Sequence, residues 1–190
     1  MSEKPYIVGL GGTTRPGSSS ERALSLALAA AAIAGARTCH LTGCDLNLPI
    51  YDPGMVVPEG AACVLIEALR HADGIIISSP CYHGGVSGML KNALDYTEMM
   101  RADERAYFDG RSVGVIGTGF GYQGPGTVVQ QLRQYTHALR GWNVPLGVAI
   151  NSAVVKFEAD RCSDPFIAGQ IETMAMQVVS FCGLTRRLLA

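Results

Sequence analysis

What this 190-residue chain lacks narrows its chemistry before any motif is considered. Charge is scarce: 16% of residues are charged, with 15 basic against 16 acidic and a formal net charge of −1. No basic run exists, so an electrostatic grip on nucleic acid or on an anionic membrane is not expected. No apolar stretch reaches the roughly 18 residues of a membrane-spanning helix. The alanine-rich run at 23–36 is weakly hydrophobic, contains Ser25 and follows a strand pattern. The opening residues MSEKPY lack an apolar secretory core, and the six cysteines (39, 44, 63, 81, 162, 182) include no C-x-x-C pair. Both features lead us to expect reduced thiols and a cytoplasmic location. Cys39, His40 and Cys44 have no second ligand pair at zinc spacing, and the cysteines are not clustered for an iron–sulfur centre, so no metal is expected.

What is present is core material and a repeating pattern. Apolar residues make up 48% of the chain, enough for one folded domain over residues 1–190. Strands are expected at 5–11, 36–42, 73–79, 112–118 and about 142–150; all but 36–42 are Val/Ile-containing runs, continuous rather than alternating, as in strands covered on both faces. Between them lie helical stripes. Residues 19–34 carry Leu24, Ala27, Leu28, Ala31 and Ala34, and Gly35 stops them. Helices are also expected at 58–71 (opened by Pro58), 86–100, 126–140 and about 164–182. Strand and helix alternating five times give an α/β fold: a five-stranded parallel sheet with helices on both faces. In such sheets ligands sit outside the carboxyl ends of the strands. The candidate loops are therefore 12–20, 80–88 and 118–126.

The first loop, GTTRPGSSSER, joins strand one to the first helix. Gly12 and Gly17 have the spacing of a nucleoside-triphosphate loop, but Ser18 stands where that loop needs lysine. What remains is hydroxyls (Thr13, Thr14, Ser18, Ser19, Ser20), one guanidinium (Arg15), glycine amides and a helix N-terminus. That set suits a terminal phosphomonoester; it is also compatible with a Gly/Ser-rich turn whose serine merely caps the helix. In the second loop Tyr82 offers an aromatic face, and glycines let a flat ligand approach. Cys81 reads either as an apolar packer or as a nucleophile, and His83 as a solvated or a catalytic imidazole. In the third loop Gly119, Gly121 and Gly124 formally satisfy G-x-G-x-x-G. A dinucleotide site would also place an acid at the end of the next strand, and 142–151 holds no Asp or Glu.

Taken together, Gly12-Thr13-Thr14-Arg15-Pro16-Gly17-Ser18-Ser19-Ser20, Pro80-Cys81-Tyr82-His83, Leu90-Lys91-Asn92-Ala93-Leu94-Asp95-Tyr96 and Phe108-Asp109-Gly110-Arg111-Ser112-Val113 resemble the motifs of the NADPH-dependent FMN reductase family. The resemblance runs from about residue 6 to 150 and implies a flavodoxin-like three-layer sandwich. It implies FMN as cofactor and NADPH or NADH as co-substrate. Thr13, Arg15, Ser18 and Ser20, with Ser19 beside them, match its phosphate positions. Pro80, Tyr82, His83 and Gly84, with Cys81 between them, match the segment bordering the flavin ring, and Thr118, Gly119 and Phe120 of the third loop are candidates for ring contact. Cys81, His83, Gly85, Ser87 and Ser20 depart from the family pattern. Lys91, Asn92 and Asp95 are expected to pin a loop or a subunit contact.

On that resemblance the expected activity is hydride transfer from NAD(P)H to FMN, supplying reduced flavin, with no catalytic acid–base pair of the protein's own. A monooxygenase is then the implied recipient. The alternatives are a quinone or azo reductase with tightly bound FMN, or a non-catalytic flavodoxin-type electron carrier. Balanced charge and the loop arginine weigh against the carrier. The segment 97–111, TEMMRADERAYFDGR, reads either as a solvated helix end or as a subunit contact. The family resemblance implies a homodimer or homotetramer.

Overall fold

The structure, a computed structural model, describes residues 4–54, 59–158 and 161–189. In chain order the elements are β1 (Tyr6–Gly11), α1 (Ser19–Ile33), β2 (Arg37–Leu41), α2 (Ala61–His71), β3 (Gly74–Tyr82), β4 (Gly85–Val86), α3 (Gly88–Asp95), β5 (Ser112–Gly119), α4 (Gln123–Ala138), β6 (Trp142–Asn143), β7 (Val148–Asn151), β8 (Phe157–Glu158), β9 (Arg161–Cys162) and α5 (Pro165–Leu189). Short 3-10 turns lie at Gly43–Leu46 and Tyr96–Met100.

The apolar runs of β1, β3 and β5 become strands because they find cover on both sides, whereas β2 is a partly exposed edge strand. Val8, Leu10, Ile75 and Ile77 face a core shared with α2, α3 and α4, while Ile7 and Ile76 face a second core shared with α1 and α5. The parallel sheet runs β2-β1-β3-β5-β6, with β7 also on β5 and β4 on β3. This is the expected three-layer arrangement, with five core positions and extra strands. Alanines let α1 pack closely: Ala23, Ala27 and Ala31 are fully buried, and a Cβ at Gly9 would sit 2.7 Å from a Leu28 methyl. Ala34, expected on the buried stripe, is exposed at the helix cap.

Three expectations shift. The fifth strand is interrupted: β6 and β7 pair with successive parts of β5, separated by a stretch containing Pro145, which has no N–H for a ladder. The helix expected at 86–100 is α-helical only over α3 and then tightens into the 3-10 turn. The segment 97–111 turns apolar side chains inward: Thr97, Met100 and Phe108 are fully buried. These side chains therefore give no support to a subunit contact there. Pro58, expected to open α2, lies outside the described residues, and Gly60 occupies the helix cap.

Candidate functional site

Each parallel strand ends where a helix begins, so the carboxyl edge of the sheet gathers loops and helix N-termini. β1 stops at Gly11, and the Gly12 amide donates to the Ser78 carbonyl at 2.8 Å, which holds the start of the first loop against β3. Thr13 Oγ1 accepts from the Arg15 amide at 3.1 Å, a local turn that leaves the Arg15 side chain exposed. Gly17 turns the chain at φ +68. Ser18 then caps α1, its hydroxyl accepting from the Glu21 amide at 3.3 Å. Ser18 Oγ lies 3.2 Å from Ser20 Oγ, and the Ser78 hydroxyl donates to the Ser20 carbonyl at 2.8 Å. The capping reading and the anion-site reading are thus compatible with the same serine.

The second segment is not the open loop expected. β3 continues through Pro80 to Tyr82 and folds back as a hairpin with β4, pairing Cys81 with Val86 and Tyr82 with Gly85. The two turn residues, His83 (φ 51) and Gly84 (φ 82), both have positive φ, the requirement of a tight two-residue hairpin turn. Pro80 is tolerated because β1 has already ended, so among the parallel strands only β5 lies beside it there. Gln131 on α4 fixes the hairpin, accepting from the Val86 amide at 3.0 Å. In the third segment β5 runs to Gly119, where a Cβ would sit 3.0 Å from Cys81 Cβ. Asn151 Oδ1 accepts from the Gly121 amide at 2.9 Å and ties that loop to the end of β7.

These segments border a cleft of about 410 Å³ lined by the first loop, Pro80–Tyr82, Thr118–Phe120 and the stretch after β7. Of the residues singled out from sequence, Thr13, Arg15, Ser18, Ser19, Ser20, Pro80, Cys81, Tyr82, Thr118, Gly119 and Phe120 line it. His83 and Gly84 do not; they form the hairpin tip and face solvent. Four lining residues were missed: Arg22, Ser152, Lys156 and Phe157. Arg22 follows Ser18 by one helical turn, a spacing that places it over the same loop, and its Nε donates to the Gly17 carbonyl at 3.1 Å. Lys156 lies between apolar Val155 and Phe157, a short alternation beyond the last expected strand.

Among the described residues that line the cleft there are three cations (Arg15, Arg22 and Lys156) and no Asp or Glu. The chain as a whole is nearly neutral, so this is a local concentration of positive charge at the N-terminal end of α1. Hydroxyls, amides and cations there can hold a multiply charged anion. Farther in, glycine, proline and aromatic surfaces can take a flat apolar body. Among the described residues no three His, Cys, Asp or Glu side chains converge for a metal ion, and no disulfide joins any of the six cysteines. No helix among the described residues is long and apolar enough to cross a membrane.

Known proteins share both pattern and shape. An FMN-dependent NADPH-azoreductase of Staphylococcus aureus is 36% identical over 89 residues, covering 47% of this chain and 44% of that protein. An iron–sulfur flavoprotein of Methanocaldococcus jannaschii is 31% identical over 102 residues, covering 50% and 53%. The matches thus span about half the length of these curated relatives. Among solved structures, the Paracoccus denitrificans flavoenzyme FerB, an NAD(P)H:acceptor oxidoreductase, superposes with TM-score 0.76 at 19% identity over 95% of this chain and 98% of that one. An apo NADH:FMN oxidoreductase superposes with TM-score 0.70 at 20% identity over 95% and 90%. At that identity the superpositions establish the fold. The model of the NADPH-dependent FMN reductase family matches residues 5–155, which include all three loops of the cleft, and the chain belongs to that family.

Proposed function

We propose that this protein is an FMN-dependent NAD(P)H oxidoreductase, working as a flavin reductase, with the cleft as its cofactor site. The observation that carries the reading is the cleft at the N-terminus of α1, whose described lining holds three cations and no carboxylate beside glycine and exposed aromatic surfaces. The donor set fits FMN, whose phosphomonoester needs cations and hydrogen-bond donors and whose ring needs flat apolar cover. Arg15 and the hydroxyls of Thr13, Ser18, Ser19 and Ser20 hold the phosphate; Pro80, Cys81 and Tyr82 on one side and Thr118, Gly119 and Phe120 on the other border the ring. His83 and Gly84 act by shaping the hairpin. When bound, FMN supplies the hydride chemistry, and the protein supplies position and electrostatics.

A second reading, a quinone or azo reductase that keeps its FMN, draws on three exposed aromatic residues around the loops: Tyr82, Phe120 and Tyr122. Phe120, at 86% exposure, offers a face on which a planar acceptor stacks or against which a second subunit packs. That exposure also supports a homodimer or homotetramer. A monooxygenase is the partner the flavin-reductase reading implies, and six cysteines without a disulfide are in keeping with a reducing compartment such as the cytoplasm. One domain over 1–190 is supported by a main sheet that both core clusters share.

The test is NADPH and NADH oxidation by the purified protein with FMN as the added flavin, followed by stopped flow to see whether flavin leaves between half-reactions. Turnover with flavin release is expected. Turnover with retained flavin and an azo or quinone acceptor selects the second reading. No FMN-dependent oxidation of either nucleotide sinks both.

A further inference from the structure

The geometry points to Lys156 as a specificity-determining residue of the cofactor site, one that selects the phosphorylated flavin over the unphosphorylated one. The inference rests on the reading of the cleft as an FMN site. Lys156 belongs to none of the three loops that carry the family motifs; the family match ends one residue before it.

Its presentation is built into the chain. Val155 is buried and Phe157 packs against the core of α1 and α5 while also lining the cleft, and Lys156, exposed between these two anchored side chains, lines the cleft with Phe157. The backbone on either side is fixed. The Lys156 amide donates to Ser163 Oγ at 2.9 Å, and its carbonyl accepts from the Ser163 amide at 2.8 Å. Upstream, Asn151 Oδ1 accepts from the Ala153 amide at 3.0 Å. The ammonium itself is exposed, yet it is tethered: Nζ donates to the Ser152 and Ala153 carbonyls, each at 2.8 Å. Among the described residues these two carbonyls take two of its three donor positions, and the third can meet a ligand oxygen.

This arrangement answers a charge question. A phosphomonoester carries close to two negative charges near neutral pH. Arg15 alone, on an exposed loop, balances only part of that. Arg22 and Lys156 bring the lining to three cations, delivered from α1 and from the stretch after β7. A lysine tethered to two carbonyls loses little further freedom when an anion arrives, so its charge acts on binding with a small ordering cost. Riboflavin, with the same ring and no phosphate, has nothing for Lys156 to hold.

The experiment compares Lys156→Gln with wild type by fluorescence titration against FMN and against riboflavin, at low and at high salt. Lys156→Gln is expected to weaken FMN about fivefold at low salt, the scale of an exposed charge pair, with riboflavin unchanged. The salt dependence of FMN binding is expected to become shallower, and Lys156→Arg to restore most of the affinity. Equal weakening of both flavins marks a merely structural role and overturns the inference, as does no change in either. If wild type itself does not prefer FMN to riboflavin, the cofactor-site reading falls and takes this inference with it. A thermal unfolding midpoint unchanged by the substitution separates loss of binding from loss of fold.

Discussion

The two ends of the sheet use the same kind of side chain in opposite ways. At the carboxyl edge, Arg15 and Lys156 line an open cleft. At the amino edge, Arg111 is 1% exposed, and its guanidinium is surrounded by carbonyls. Nε donates to Leu69 O at 3.0 Å, Nη2 to Arg70 O at 2.9 Å, and Nη1 to Tyr107 O at 3.0 Å and Asp109 O at 3.2 Å. Burial pushes its pKa down to about 10, with Arg105 adding to the shift, so it still carries its charge at neutral pH. The difference follows from how helices run in a parallel α/β fold. α2 ends beside the start of β3, so its last carbonyls collect at the amino edge, and a buried cation donates to those of Leu69 and Arg70. α1 begins beside the end of β1, so helix N–H groups collect at the carboxyl edge, where they favour an anion. One arginine is saturated by the fold, while the other stays open to a ligand.

The comparison can be broken by substitution at each end. The largest effect is expected from Arg111→Met, which removes a buried cation and takes the side-chain donor from the Arg70 and Tyr107 carbonyls. A loss of about 3–5 kcal/mol in urea unfolding is expected, with FMN affinity of the remaining native protein unchanged. Retained stability would show that the carbonyl cage is incidental. Arg15→Ala should do the reverse. The dissociation constant for FMN rises about 10–100-fold, the scale of a hydrogen bond to a charged group, while the unfolding midpoint moves within the scatter of surface substitutions. If FMN and riboflavin bind this variant as they bind wild type, the guanidinium does not meet the phosphate. Ser18→Ala sharpens the boundary between the two roles, because Ser18 both caps α1 and lines the cleft. It should lose about 1 kcal/mol of stability and a few-fold in FMN affinity; a stability loss with no change in affinity would assign it to the cap alone.

The motif 108–113 is explained by the amino edge. Phe108 is fully buried, Gly110 has φ +69, and Arg111 fills the carbonyl cage, so this stretch braces the entry to β5 rather than the site. Asn92 is likewise a brace. Its side-chain amide accepts from the Tyr51 N–H at 2.8 Å and donates to the Pro49 carbonyl at 2.8 Å, pinning the loop after β2. Lys91 and Asp95 pair with each other at 2.6 Å along α3. In the sequence these residues and the cleft residues read as parts of one motif set; their separation into brace and cleft lining appears only when the loops are placed in space.

Local chemistry wrote much of this protein directly into the chain. Continuous Val/Ile runs, glycine stops and the hydroxyl-rich loop after β1 are short-range signals, and together with the family motifs they located the strands, most helix bounds and eleven cleft residues. The interrupted fifth strand, the His83-Gly84 hairpin, the inward-facing residues of 97–111 and the arrival of Arg22 and Lys156 at the cleft were decided by tertiary packing. Lys156 is 141 positions from Arg15 in sequence, and no periodicity links residues that far apart. Their meeting depends on β7 lying beside β5 and on the chain then crossing back toward α1, a path set by the sheet as a whole.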